Sequence, residues 1–199
     1  SDVCSSDLSE EQESERALKH LSDTIKFEGP GTIAAIIMET VVGTAGILVP
    51  PAGYLQGVRE LCDQYGIVLI LDEVMSGFGR TGEWLALDHW GVKPDLITFA
   101  KGSNSGYVPV GGVIISDQIA NTFEEKVFPG GCTYSGHPLA TASIVATIDA
   151  MREEKIVENS KHIGETILGP GLASLQERHK IIGDVRGMGT FWEIGRAHV

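Results

Sequence analysis

Gly66–Val113 reads GIVLILDEVMSGFGRTGEWLALDHWGVKPDLITFAKGSNSGYVPVGGV, and its punctuation decides the fold. A first apolar run, Ile67–Leu71, stops at two acids, Asp72 and Glu73. After a glycine-rich stretch a second run, Asp95–Ala100, stops at Lys101, and a third, Val110–Ile115, closes the segment. Continuous apolar runs of this length predict strands buried on both faces of a parallel sheet. Ligands of such sheets bind beyond the carboxyl ends of the strands. Asp72 and Lys101 each follow a strand end, so both are expected at one crevice. The predicted class is α/β.

Working outward, Ser9 to about Phe27 has helical composition, with Ala17, Leu18, Leu21 and Ile25 spaced three and four apart. Thr32–Met38 predicts another buried strand, ending at Glu39. Gly53–Tyr65 predicts a helix burying Leu55, Val58, Leu61 and Cys62, stopped at Gly66. A short helical piece is expected around Trp84–Trp90, and a brief helix capped by Ser116 or Asp117. Pro138 suits the first turn of a long helix to about Glu154, with Leu139, Ala142, Val145, Ile148 and Met151 on one face. A further helix from Ile156 is expected to break at Gly169-Pro170-Gly171 and resume to Arg178. Ile181–Val185 predicts a strand.

The bulk numbers exclude several classes. A formal charge of −12 argues against nucleic acid or an anionic membrane surface as partner. No run approaches the roughly 20 apolar residues of a membrane helix. The six histidines show no metal-ligand spacing, so no metal is expected. Three cysteines, Cys4, Cys62 and Cys132, form neither a metal set nor an even disulfide set and suit a reducing cytoplasm.

The two ends share an unusual relationship. Ser1–Leu8, SDVCSSDL, is encoded by TCAGACGTGTGCTCTTCCGATCT plus one base. The reverse complement of that string, in frame after one base, gives a codon ending in AG, then Ile-Gly-Arg-Ala-His-Val and a stop. That is the chain's own end, Glu193 being ambiguous. Both ends resemble a sequencing-library adapter in translation. The expected organisation is therefore residues 1–8 and 194–199 adapter-derived, with Ser9–Trp192 interior to a longer protein.

Several motifs recur in one order: Ile37-Met38-Glu39, Val49-Pro50-Pro51 with Gly53-Tyr54-Leu55, and Leu71-Asp72-Glu73-Val74 before Gly77-Phe78-Gly79-Arg80-Thr81-Gly82. Pro94-Asp95-Leu96-Ile97, Ala100-Lys101-Gly102, Thr133-Tyr134-Ser135-Gly136-His137-Pro138 and Val185-Arg186-Gly187 follow. Together they resemble the class III aminotransferases, pyridoxal phosphate (PLP) enzymes of fold type I. The resemblance implies part of the large PLP-binding domain over residues 9–154, a mostly parallel sheet with flanking helices. It implies the start of a small C-terminal domain over 155–193. It implies that Lys101 condenses with the PLP aldehyde, that Asp72 pairs with the ring nitrogen, and that Val74 packs on the ring. Thr133 would bond the phosphate of a neighbouring subunit, making the enzyme a homodimer, and Glu39 would partner a substrate-side arginine. The proline usual after that glutamate is Thr40 here.

A carboxylate and an amine at neighbouring strand ends are what PLP needs from a protein, independently of the resemblance. Ile67–Glu73 also fits a Walker B strand, with its acids serving magnesium, but no GxxxxGK[ST] loop is present. Glu73 reads as a structural hydrogen-bonder. Gly102–Gly106 reads as a flexible turn after Lys101. Gly106-Tyr107-Val108-Pro109 resembles the omega branch, implying donors such as β-alanine or taurine and pyruvate as acceptor. An aminomutase or racemase on the same scaffold is the alternative.

Overall fold

The computed structural model describes residues 8–196. Cys4, the rest of residues 1–7, and residues 197–199 lie outside the described residues. Helix α1 (Glu10–Glu28) begins with a reciprocal cap. Ser9 Oγ accepts the Gln12 N–H, and the Gln12 side chain accepts the Ser9 N–H. Helix α2 (Tyr54–Tyr65) buries Leu55, Val58 and Cys62 at spacings of three and four. It ends at Gly66, φ 67°, whose N–H closes on the carbonyls of Cys62 and Asp63.

Four strands form one sheet in chain order: β1 (Ala35–Glu39), β2 (Val68–Asp72), β3 (Leu96–Phe99) and β4 (Gly112–Ile115). The β1–β2 and β2–β3 pairs are parallel, whereas β3–β4 is antiparallel. The last pairing corrects the expectation of a parallel Val110–Ile115. The connection from Ala100 to Gly111 carries a 3-10 turn but no crossover helix, so the chain returns beside β3 in the opposite sense.

Burial on both faces also needs correcting. Along β2, Leu69 and Leu71 are buried against α1 and α2 in a core with Ile25, Leu55, Val58, Cys62, Ile67, Leu87 and Val92. The alternate residues Val68, Ile70 and Asp72 face the other side. There the register adds Ile37, Leu96, Val113 and Ile115, of which Ile37 is 64% exposed, Val113 55% and Ile115 48%. This face is open, and β1 is an edge strand starting three residues later than Thr32. Asp95 locks the covered side: its Oδ2 accepts the Leu69 N–H at 2.7 Å and Arg59 Nη1 at 2.8 Å.

Helix α3 (Asp117–Asn121) follows β4, and α4 (Pro138–Glu153) opens at Pro138 as expected. The apolar face expected on α4 is largely uncovered: Leu139 and Val145 are exposed, and the buried residues of the helix are Ala140 and Met151. Lys155, φ 53°, turns the chain into α5 (Ile156–Ile163). Gly169-Pro170-Gly171 does not break the helix. A π-helical turn at Gly164–Leu168 leads straight into α6 (Gly169–Arg178), which places Pro170 in a first turn where its missing N–H costs little.

A hairpin of β5 (Ile182–Met188) and β6 (Phe191–Arg196) completes the described chain. The second strand was not foreseen. Ile194, Gly195 and Arg196, three residues of the adapter-like end, pair within it. Backbone pairing is open to any sequence, so it is silent on their origin. The hairpin joins the first unit through Phe191, packed with Val41, Ile47 and Ala86, and through Arg186 Nε, which donates to the Gly46 carbonyl at 2.6 Å.

Candidate active site

The site is built on the carboxyl ends of β1, β2 and β3. Glu39 is the register partner of Asp72, and Asp72 is the register partner of Thr98. In parallel strands register partners face the same side. Glu39, Asp72 and Thr98 therefore share the open face. Asp72 is half-buried, and its Oδ1 accepts the Val74 N–H at 2.8 Å, which fixes the carboxylate and leaves Oδ2 without a donor among the described residues. Thr98 Oγ1, on the same face, is buried and has no hydrogen-bond partner among the described residues.

Lys101 lies three residues beyond Thr98, at the start of a 3-10 turn (Lys101–Ser103). Its φ is 38°, a left-handed backbone that a lysine adopts at a cost of about 1–3 kcal/mol. The next residue must be small, since a Cβ on Gly102 would lie 3.0 Å from Phe78 Cβ. No carboxylate among the described residues pairs with Lys101 Nζ. The side chain lines two adjoining clefts. The larger is bounded by Phe78, Arg80, Tyr107 and the α4 residues Ser143, Thr147 and Met151. The smaller is closed by Met75 from the turn after β2 and by Thr190, Phe191 and Trp192 from the hairpin.

Two buried residues, Asn104 and Glu73, hold this arrangement in place. Asn104 is buried and ties the turn after Lys101 to α4. Its Nδ2 donates to the Val108 carbonyl at 2.6 Å and to Ser143 Oγ at 3.0 Å, while its Oδ1 accepts the Gly106 N–H at 3.1 Å. Gly102–Gly106 is thus an anchored turn, not the flexible one expected. Glu73 is fully buried and hydrogen-bonded on both oxygens to Ser76, Ala86 and Leu87, the structural role expected of it.

The remaining candidates are placed differently. Val74 lies in the turn after β2 and not on the strand itself. Glu39 Oε2 accepts the Gly43 N–H at 2.8 Å, and no arginine among the described residues pairs with it. Thr133 sits on the exposed loop before α4 and lines neither cleft beside Lys101. Arg80 lines both clefts, and its backbone carbonyl accepts the Thr190 N–H at 2.9 Å. Phe78, Trp192 and Asn104 were missed as site residues. The Asn-Ser-Gly run at 104–106 is a turn signal that could have pointed to Asn104.

Comparison with known proteins places these features in context. The family model for aminotransferase class-III matches residues 3–197. The chain is 39% identical over 179 residues to a taurine–pyruvate aminotransferase of Bilophila wadsworthia, covering 87% of this chain and 39% of that protein. It is 45% identical over 163 residues to a 5-aminovalerate aminotransferase of Pseudomonas aeruginosa, covering 81% and 37%. Among solved structures, a taurine:2-oxoglutarate aminotransferase from Bifidobacterium kashiwanohense, in complex with PLP and glutamate, superposes with a TM-score of 0.93. The two are 43% identical, with 98% of this chain and 44% of that one covered. An (S)-enantioselective omega-transaminase from Thermomicrobium roseum gives a TM-score of 0.90 at 44% identity, covering 96% and 42%. The chain thus spans about 40% of the length of the curated relatives it matches.

Proposed function

The chain belongs to the class III aminotransferases, and from that membership we propose that the whole protein moves an amino group from a donor amine to a keto acid. The observation that carries this reading is the register of Asp72 with Thr98, which brings Asp72 and Lys101 to one edge of the sheet. The family's cofactor is PLP, whose ring, held as a pyridinium, takes up the electron pair left when a substrate carbon loses a proton.

The residues present fit that group. Asp72 has one oxygen fixed by Val74 N–H and the other unengaged among the described residues, so it can hold a proton on the ring nitrogen. Lys101 Nζ, with no ion-pair partner among the described residues, can bind the aldehyde carbon and afterwards carry the substrate's α-proton. Thr98 Oγ1, buried and orphaned beside Asp72, supplies a further donor on the same face. Val74 would pack against the ring. Thr133, exposed on its loop, would donate to the phosphate held by a second copy, which would make the working unit a homodimer with shared sites. Glu39 answers a substrate-side arginine.

The donor we assign is a terminal amine bearing an acidic group, of the taurine or β-alanine type, with pyruvate or another keto acid as acceptor. Relatives named for taurine, 5-aminovalerate and pyruvate support that choice. We place the reaction in the cytoplasm, a reducing compartment that the cysteine usage suits. No helix among the described residues is long and apolar enough to cross a membrane. We further place the division between large and small domains at Glu154–Lys155 and assign residues 1–8 and 194–199 to adapter. A natural reading frame running through either junction in the source DNA would overturn the adapter assignment.

The test is a panel of amines with and without pyruvate, run on the whole protein. Alanine formation that requires both amine and pyruvate supports transamination. Isomerised or racemised product without pyruvate would assign the scaffold to other chemistry.

A further inference from the structure

Glu73, next to Asp72, is hydrogen-bonded at its backbone N–H, its carbonyl and both carboxylate oxygens. Its N–H donates to the Thr98 carbonyl at 2.9 Å, and its carbonyl accepts the Gly77 N–H at 3.0 Å. Its Oε2 accepts Ser76 Oγ at 2.7 Å and the Ala86 N–H at 3.0 Å, and its Oε1 accepts the Leu87 N–H at 2.8 Å. The side chain is 0% exposed, and no cation among the described residues pairs with it. A lone buried carboxylate held only by neutral donors is a costly way to staple a turn.

Its position explains why a carboxylate stands there. Both side-chain oxygens meet N–H donors of the Ala86–His89 turn, so both ends of the group must accept, and an amide would set its own N–H against one of them. The peptide that Glu73 anchors is the one whose N–H, on Val74, orients Asp72 Oδ1. The backbone N–H of Glu73 also joins β2 to β3 at Thr98, three residues before Lys101. One residue therefore fixes the direction of the Asp72 carboxylate and the spacing between the two strand tips.

We propose that Glu73 is a positioning residue for cofactor binding, acting through Asp72 by fixing the Glu73–Val74 peptide that aims its carboxylate. The proposal rests on the reading of Asp72 as the partner of the cofactor nitrogen.

The experiment is PLP titration of the whole apo-protein for wild type, Glu73→Gln, Ser76→Ala, Asp72→Asn and the combinations with Asp72→Asn. It reads PLP affinity and the pH midpoint at which the bound cofactor's visible absorbance changes. Glu73→Gln is expected to weaken PLP binding on the order of tenfold and to move the midpoint in the same direction as Asp72→Asn. In the Asp72→Asn background it is expected to add less than about twofold, because the group it aims is no longer a carboxylate. Ser76→Ala, which removes a single donor from Oε2, is expected to act in the same direction more weakly and likewise to lose its effect. It carries the test should Glu73→Gln fail to fold.

Losses that multiply between positions 73 and 72 would overturn the proposal. So would a Glu73→Gln protein with a lower Tm but unchanged affinity and midpoint. If Asp72→Asn alone moves neither affinity nor midpoint, the assignment of Asp72 itself is overturned, and this proposal with it.

Discussion

Asp72 and Lys101 leave neighbouring parallel strands at the same edge of the sheet, with Asp72 in register with Thr98 and Lys101 three residues further on. Adjacent strands lie about 4.8 Å apart, so a carboxylate on one tip and a long amine side chain just past the next can reach one small molecule lying beyond the sheet's carboxyl edge. Neither side chain is consumed by an ion pair among the described residues.

Asp72→Asn in the whole protein keeps the shape and removes the charge. It should lower kcat/KM by about 3 kcal/mol, roughly a hundredfold, because a protonated ring nitrogen loses its anionic partner. Thermal stability should change little, since Asp72 is only half-buried and keeps the Val74 contact. Steady-state kinetics beside a melting curve separates the two effects. Full activity in the variant would refute the role.

Thr133 can be tested by subunit mixing. In a dimer with shared sites, one subunit carrying Lys101→Ala and the other Thr133→Ala together contain one intact site. Mixing the two inactive or weakened variants should then restore up to about a quarter of wild-type activity, the share expected from random pairing in a two-fold dimer. Activity no higher than the average of the unmixed variants would place Thr133 in its own subunit's site or outside any.

The open sheet face gives a contrast in stability. Ile37→Lys and Val113→Lys lie on exposed positions and should change unfolding free energy by no more than about 0.5 kcal/mol while reducing self-association of the 199-residue chain. Leu71→Ala, on the covered face at 0% exposure, should cost about 2–5 kcal/mol. Light scattering and denaturant melts read both. This chain by itself is expected to turn over no donor, and measurable turnover would contradict that.

The two described cysteines should differ sharply. Cys62 is buried in the α2 core, and burial pushes its thiol above the ordinary range, while Cys132 is exposed. Less thiolate at neutral pH and no access leave Cys62 inert. A thiol reagent at pH 7–8 should label Cys132 in the native chain and Cys62 only after unfolding, as read by peptide mapping. A raised thiol pKa also means that labelling of Cys62 gains little until the pH passes above that range. Rapid native labelling of Cys62 would refute the packing.

Much of this was legible in the sequence, for physical reasons that also mark the limits. Strand ends at Asp72 and near Lys101 were readable because a polar residue ends an apolar run abruptly. The stop at Gly66 was readable because glycine takes a left-handed backbone without steric cost, and the start at Pro138 because proline's fixed φ and missing N–H suit a first turn. The sense of β4 was not, since an apolar run carries no direction and only the missing crossover helix sets it. The exposure of Leu139 and Val145 on α4 was equally hidden, because a helical stripe shows that a face is apolar but not what covers it. β6 escaped because Phe191–Trp192 abuts the adapter-like end. Asn104 escaped because a buried amide in a turn looks in sequence like any turn residue.

The most direct measurement is trapping on the whole protein. PLP is bound, reduced with borohydride, and the digested peptides are mapped by mass. The account predicts the pyridoxyl group on Lys101, and its loss, together with the visible absorbance, in Lys101→Ala. A pyridoxyl group on any other lysine, or undiminished absorbance in that variant, would contradict it.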